Sequence, residues 1–143
     1  MYVDTILKKK GDTVITVAPN CLVSKAAQTL HEKRIGAALV QDAAGNIVGI
    51  LSERDIVRGV ALKQEACLDM TVSELMTHPL VTCAPTDSIE QIMELMTERR
   101  VRHLPVMDDG DLIGIISIGD VVKQRISEIE HESRALKQYI AAG

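Results

Sequence analysis

Phenylalanine and tryptophan are missing from this chain, and tyrosine occurs only at Tyr2 and Tyr139. A core built from it has to be aliphatic, and modules that hold nucleic acid by stacking bases on aromatic rings are disfavoured. Cysteine is sparse. Cys21, Cys67 and Cys83 stand far apart and form no Cys-x-x-Cys, so they read as reduced, mostly buried thiols of a cytoplasmic protein. No apolar run approaches the length of a membrane span. The start, "MYVDTILKKKGD", carries no apolar stretch long enough for a signal peptide. Basic charge is not in excess: 16 Lys and Arg face 20 Asp and Glu, for a net charge of −4. That argues against a broad footprint on DNA or RNA. What is present is apolar material, 46% of 143 residues, enough for a packed core and against disorder.

The apolar residues are arranged twice over. Laid on itself so that Thr16 falls on Thr82, the chain puts "TVAP" on "TCAP" and "EKRI" at 32–35 on "ERRV" at 98–101. With one gap near Ala44, "GILSERDIV" (49–57) falls on "GIISIGDVV" (114–122). Each copy has the same pattern. A short β-branched strand ("TVITV" at 13–17, "PLVTC" at 79–83) ends at a proline. An amphipathic helix follows, with Leu22, Ala26, Ala27 and Leu30 on one face in the first copy. In the second copy that face holds Ile89, Ile92, Met93, Leu95 and Met96, behind N-cap candidates Asp87 and Ser88. Two apolar runs around a glycine turn ("DAAGN", "DDGD") predict a hairpin, and a second helix starts after the serine. The unit is β-α-β-β-α, preceded in each copy by an extra short helix ("VDTIL", "VSELM"). The predicted class is α+β: residues 1–66 the first repeat, 67–125 the second, related by a pseudo-twofold, and 126–143 a C-terminal helical extension.

The kept Ser-x-x-Asp of each copy carries two readings. Ser52 with Asp55, and Ser117 with Asp120, fit a capping box at a helix start. The same geometry exposes backbone N–H groups to an anion and sets an ionised carboxylate one turn along. Two acceptor oxygens there match the paired hydroxyls of a ribose. A lone instance is weak; two at equivalent positions are much stronger.

With its duplicated unit and the sequences "VGILSERDIV" and "IGIISIGDVV", the chain strongly resembles a pair of CBS domains, a Bateman module, over about residues 2–125. "RRVRHLPVMDDGDLIGIISIGDVV" is similar to the second member of such pairs in small stand-alone proteins. The resemblance implies two clefts between the repeats that take adenosine-containing ligands: AMP first, with ATP, ADP, NAD or S-adenosylmethionine as alternatives. Carried over, one cleft uses Ser52, Arg54 and Asp55 against Thr82 and Val101, Arg102, His103 and Leu104. Asp55 would take ribose, and Ser52, Arg102, His103 and Arg54 the phosphate. The other cleft uses Ser117, Gly119 and Asp120 against Thr16, Ile35, Gly36 and Ala37. Gly36-Ala37 replaces Arg102-His103 and Gly119 replaces Arg54, so this second site is expected to be poor in cations and weaker, or suited to a neutral nucleoside. Asp55→Asn is expected to remove binding at little cost to folding.

Other features carry less. Arg99 and Arg100 read as a solvated helix end, and Thr16 and Thr82 also suit plain strand positions. Glu128 and His131 have a di-iron spacing that occurs only once. No metal site is expected. No catalytic triad, P-loop or Gly-x-Gly-x-x-Gly is present, so the chain reads as a non-enzyme. After Asp120, Val122, Ile126, Ile129, Ser133, Leu136 and Ile140 keep a 4-3-4-3-4 spacing, a coiled-coil-like stripe. It is expected to pack on a second copy, in a homodimer formed through the CBS disc and these helices; folding back on its own domain is the alternative. The function implied is a non-catalytic nucleotide sensor acting on an unidentified protein, with no nucleic acid and no membrane as partner. The alternative is a structural interaction module with empty clefts.

Overall fold

In the computed structural model, which describes residues 1–11 and 13–142, the elements follow the duplicated order. They are α1 (Val3–Lys10), β1 (Thr16–Val17), α2 (Val23–Lys33), β2 (Ala37–Gln41), β3 (Ile47–Ser52) and α3 (Glu53–Lys63). A 3-10 segment (Gln64–Asp69) leads to α4 (Val72–Leu75), α5 (Ile89–Arg99), β4 (His103–Asp108), β5 (Asp111–Ser117) and α6 (Ile118–Ala142). The architecture is α+β with tandem β-α-β-β repeats and a long C-terminal helix. Gly143, the last residue of the expected extension, lies outside the described residues.

The hairpins β2–β3 and β4–β5 are antiparallel. Gly45 and Gly110 turn them at φ +89° and +82°, backbone that suits glycine. Both ladders slip by one residue at the same place, Val40/Gln41 and Val106/Met107.

The leading strands are shorter than the β-branched runs predict. β1 pairs parallel to β2 over Thr16 and Val17 only. In the second repeat the strand shrinks to one bridge, Cys83 to Val106. Pro105 accounts for this. In the first repeat the Leu39 N–H donates to the Ile15 carbonyl at 3.1 Å. Pro105 holds the position of Leu39 and has no N–H to offer Val81. Leu22, expected on the buried helix face, is the exposed N-cap of α2; Val23, Ala26 and Leu30 are the buried residues. Met93 is likewise exposed on α5, while Ile89, Ile92 and Met96 face inward.

The packing units are cut differently from the sequence repeats. One unit is Thr13–Leu80; the other joins Met1–Asp12 to Val81–Gly143. Each short leading helix is therefore built into the unit formed by the other repeat. Val3 and Ile6 of α1 enter a core with Ile89, Ile92, Leu104, Val106, Ile116 and Val121. Val72 and Leu75 of α4 enter the core of Val23, Ala26, Val40, Leu51 and Cys67. Each such buried aliphatic side chain stabilises its unit by about 1.5–3 kcal/mol.

Two glycines allow this docking. A Cβ at Gly49 would stand 2.5 Å from Met76 Sδ and 3.1 Å from the Thr77 carbonyl oxygen. A Cβ at Gly114, the equivalent position, would stand 2.7 Å from Leu7 Cδ2. The repeated glycine before each Ser-x-x-Asp thus lets the segment leading into the other repeat lie against the strand.

Candidate functional site

Both Ser-x-x-Asp motifs close reciprocal caps where a strand runs into a helix. At β3–α3, Ser52 N–H donates to Asp55 Oδ2 at 2.9 Å and Asp55 N–H donates to Ser52 Oγ at 3.3 Å. At β5–α6 the matching distances are 2.9 and 3.2 Å. Asp is one methylene shorter than the Glu or Gln usual in such boxes, and both bonds still form. The first amide of each helix is also engaged: Glu53 N–H donates to the Gly36 carbonyl and Ile118 N–H to that of Arg102, at 2.9 and 2.8 Å. The helix starts are therefore less open to an anion than expected, because the turn before each hairpin uses one donor and the serine another.

The two carboxylates differ in what else they hold. Asp55 is buried, 3% exposed. Besides the Ser52 amide it accepts from Ser52 Oγ at 3.1 Å and Thr77 Oγ1 at 2.8 Å. Arg58 stands 3.1 Å from Oδ1 and also donates to the Leu75 carbonyl. Asp120 is half-buried, and Lys10 Nζ meets its Oδ2 at 2.7 Å. The same ammonium donates to the Ile115 carbonyl at 2.9 Å. Burial raises the affinity of Asp120 for a proton. The Lys10 hydrogen bond, the bonds from Ser117 and the Lys10 charge outweigh it and hold the carboxyl below its ordinary value.

Thr77 and Lys10 play matching parts from different positions. Lys10 ends α1 and Thr77 follows α4, and each meets the aspartate of the repeat that its helix does not lead into. The sequence reading assigned no role to either, nor to Arg58. The parallel between "VDTIL" and "VSELM" marks the two helices, but Lys10 and Thr77 do not fall on each other in it, and a contact follows only once each helix is known to dock on the other repeat.

The remaining predicted residues are placed as follows. In the Thr13–Leu80 unit, Thr16 is exposed in β1, Ile35 and Gly36 are half-buried, Ala37 is buried at the start of β2, and Arg54 is exposed on α3. In the other unit, Thr82 and Arg102 are exposed, Val101 and His103 are half-buried, and Gly119 is exposed. Leu104 is fully buried in the aliphatic core. The structure brings Ser52 and Asp55 together beside Gly36, and Ser117 and Asp120 together beside Arg102.

Cys67 and Cys83 are buried and Cys21 half-buried, all as free thiols. Burial, with the nearby Asp87 charge, pushes the Cys83 thiol up to about 12. Glu128 is buried and paired with Arg125 at 3.1 Å. Among the described residues no group of three or more His, Cys, Asp or Glu could hold a metal ion. No helix among them is long and apolar enough to cross a membrane.

A family model described as the CBS domain matches residues 11–62 and 72–127. The CBS domain-containing protein CBSX3, mitochondrial, of Arabidopsis thaliana is 30% identical over 99% of this chain and 72% of its own length. The crystal structure of the CBS-domain containing protein ATU1752 from Agrobacterium tumefaciens superposes with a TM-score of 0.85 at 48% identity, covering 87% of this chain and 92% of that one. The CBS domain protein PAE2072 from Pyrobaculum aerophilum, complexed with AMP, superposes with a TM-score of 0.73 at 26% identity, covering 84% and 89%.

Proposed function

Because this chain belongs to the CBS domain family and carries two CBS domains in tandem, we propose that it binds an adenine nucleotide at its Ser-x-x-Asp helix starts and reports that ligand to a partner protein. The family is a non-catalytic regulatory fold, and the chain is such a module rather than an enzyme. One observation carries the reading: the same capped strand-to-helix corner is built twice, with a carboxylate and a hydroxyl at each. A single corner needs only the cap. Its relative complexed with AMP supports AMP as the first ligand, with ADP, ATP, NAD and S-adenosylmethionine as the wider class. The sensed quantity would then be an energy or redox state. A second copy, seated on the exposed face of α6, completes the proposed assembly as a homodimer.

A ligand bound only by the folded state raises stability by about 2.7 kcal/mol at a hundred times its dissociation constant. Thermal unfolding with each of these compounds, and with GTP as control, therefore tests the reading. The expected result is an upward shift with at least one adenine compound and a smaller one with GTP. No shift with any adenine compound overturns it. The second reading, a structural interaction module without a nucleotide, is favoured by the fact that both carboxylates already have partners. Native mass spectrometry of the purified protein separates the two by the presence or absence of a co-purified adenine compound.

A further inference from the structure

A cleft of about 300 Å³ opens beside Asp120, between α1 and the first turns of α6. Its lining is Ile6, Lys9, Lys10, Asp120, Lys123, Gln124 and Ser127. Three lysines and one aspartate thus line it, in a chain whose net charge is −4. Two of the three lysines are held in place. Lys9 Nζ donates to the buried Gln124 Oε1 at 3.1 Å, and Lys10 is fixed by Asp120 and the Ile115 carbonyl. Lys123 is exposed on the same side of α6. The volume sits at the lower end of small-molecule pockets, about 300–1,000 Å³, and suits a sugar phosphate better than a whole dinucleotide.

We infer that this cleft is a phosphate-binding pocket of the Asp120 site, with Lys10 as a displaceable counter-ion. The inference rests on Ser117–Asp120 being a ribose site. When vicinal hydroxyls bond the Asp120 carboxylate they take the place that Lys10 holds. The freed ammonium, on its flexible four-carbon stem, then turns with Lys9 and Lys123 onto the phosphate of the same ligand. The second site is therefore the one that selects charged ligands. Comparing the repeats position by position misses this, because the cations come from the helix leading into the first repeat and from further along α6, rather than from Gly36-Ala37 or Gly119.

Removing Lys10 separates its two roles. In Lys10→Met the carboxylate has no competitor and the phosphate has lost a partner. Titration of adenosine and AMP, followed at the amide signals of Gly119 and Lys123, reads this site alone. The expected result is tighter adenosine and weaker AMP, with the AMP-over-adenosine preference falling about tenfold, the scale of one charge-assisted contact. Lys123→Gln, at an exposed position, should weaken AMP, leave adenosine unchanged and lessen the dependence of AMP binding on ionic strength. An AMP-over-adenosine preference unchanged in both variants overturns the inference while leaving the nucleotide reading intact. If no adenine compound binds, the nucleotide reading falls, and ribose 5-phosphate and pyrophosphate on the same signals decide the pocket. Binding lost in Lys123→Gln supports it; no binding of either anion overturns it.

Discussion

At the scale of single residues, Asp55 and Asp120 have the same place in the repeat and different surroundings. Asp55 is 3% exposed, with two serine donors, one threonine hydroxyl and a guanidinium against its two oxygens. An amide in its place has one acceptor and turns its NH2 toward a donor. Asp55→Asn should therefore cost about 1–3 kcal/mol of stability, read as a lower urea midpoint, rather than the small cost expected from sequence. Asp120→Asn, at the half-buried position, should cost less, and it is the better variant for a binding test. The acid limb tests the Lys10 contact of Asp120. Asp120 has a folded value below its ordinary 3.8, so its contribution is fully present above about pH 4. It is lost as pH falls through the folded value. The stability gap between the wild type and Lys10→Met should accordingly be constant near neutrality and shrink as pH falls below the ordinary 3.8 and through the lower folded value. A gap that stays the same along the whole acid limb would show that Lys10 acts by packing alone. The thiols give a third check: with its thiol pushed up to about 12, Cys83 should resist iodoacetamide in the native protein, while half-buried Cys21 is alkylated first.

Among the elements, the docked leading helices are what local pattern could not supply. The hairpins were legible because their turns and β-branched flanks are local, and the long helix because its stripe runs unbroken. The caps were legible because serine and aspartate act within one turn. The unit to which α1 and α4 belong depends instead on contacts between distant parts of the chain, such as Ile6 with the core around Leu104. Missing that docking also hid Thr77 and Lys10 as neighbours of the two aspartates. The shortened strand of the second repeat was readable from Pro105, had the missing N–H been set against the Leu39 bond in the first. The glycines test the docking directly. Gly49→Ala presses on the Thr77 backbone as well as on Met76, and should cost about 1–3 kcal/mol. Gly114→Ala meets only the tip of Leu7. It should cost less and be rescued by Leu7→Ala, a coupling that a double-mutant cycle in urea measures. Equal costs without rescue would mean that the glycines serve the strands rather than the helices lying on them.

For the whole molecule, the unresolved demand is the far half of α6. Val121, Gln124 and Glu128 are its buried residues, and every described position from 129 to 142 is exposed. The described far half is exposed rather than laid on its own unit, and the homodimer is carried forward here as a proposal. A helical segment of that length is marginal in water on its own. Its stripe of Ile126, Ile129, Leu136 and Ile140 stands 51–68% exposed. A parallel second copy in register would cover the stripe and set Glu132 beside the second copy's Lys137, the flanking-charge pairing of two-stranded coiled coils. Arg125 is already engaged with Glu90 and Glu128 in its own unit, which leaves Glu132 and Lys137 to set the orientation. Lys137→Glu should therefore weaken the dimer and Glu132→Lys in the same chain restore it, as read by sedimentation equilibrium. Truncation after Glu128 should give a monomer that keeps its thermal response to AMP, since the caps and the Lys10 cleft lie before the cut. A truncated chain that still sediments as a dimer would place the interface on the domains and leave the stripe to a different protein.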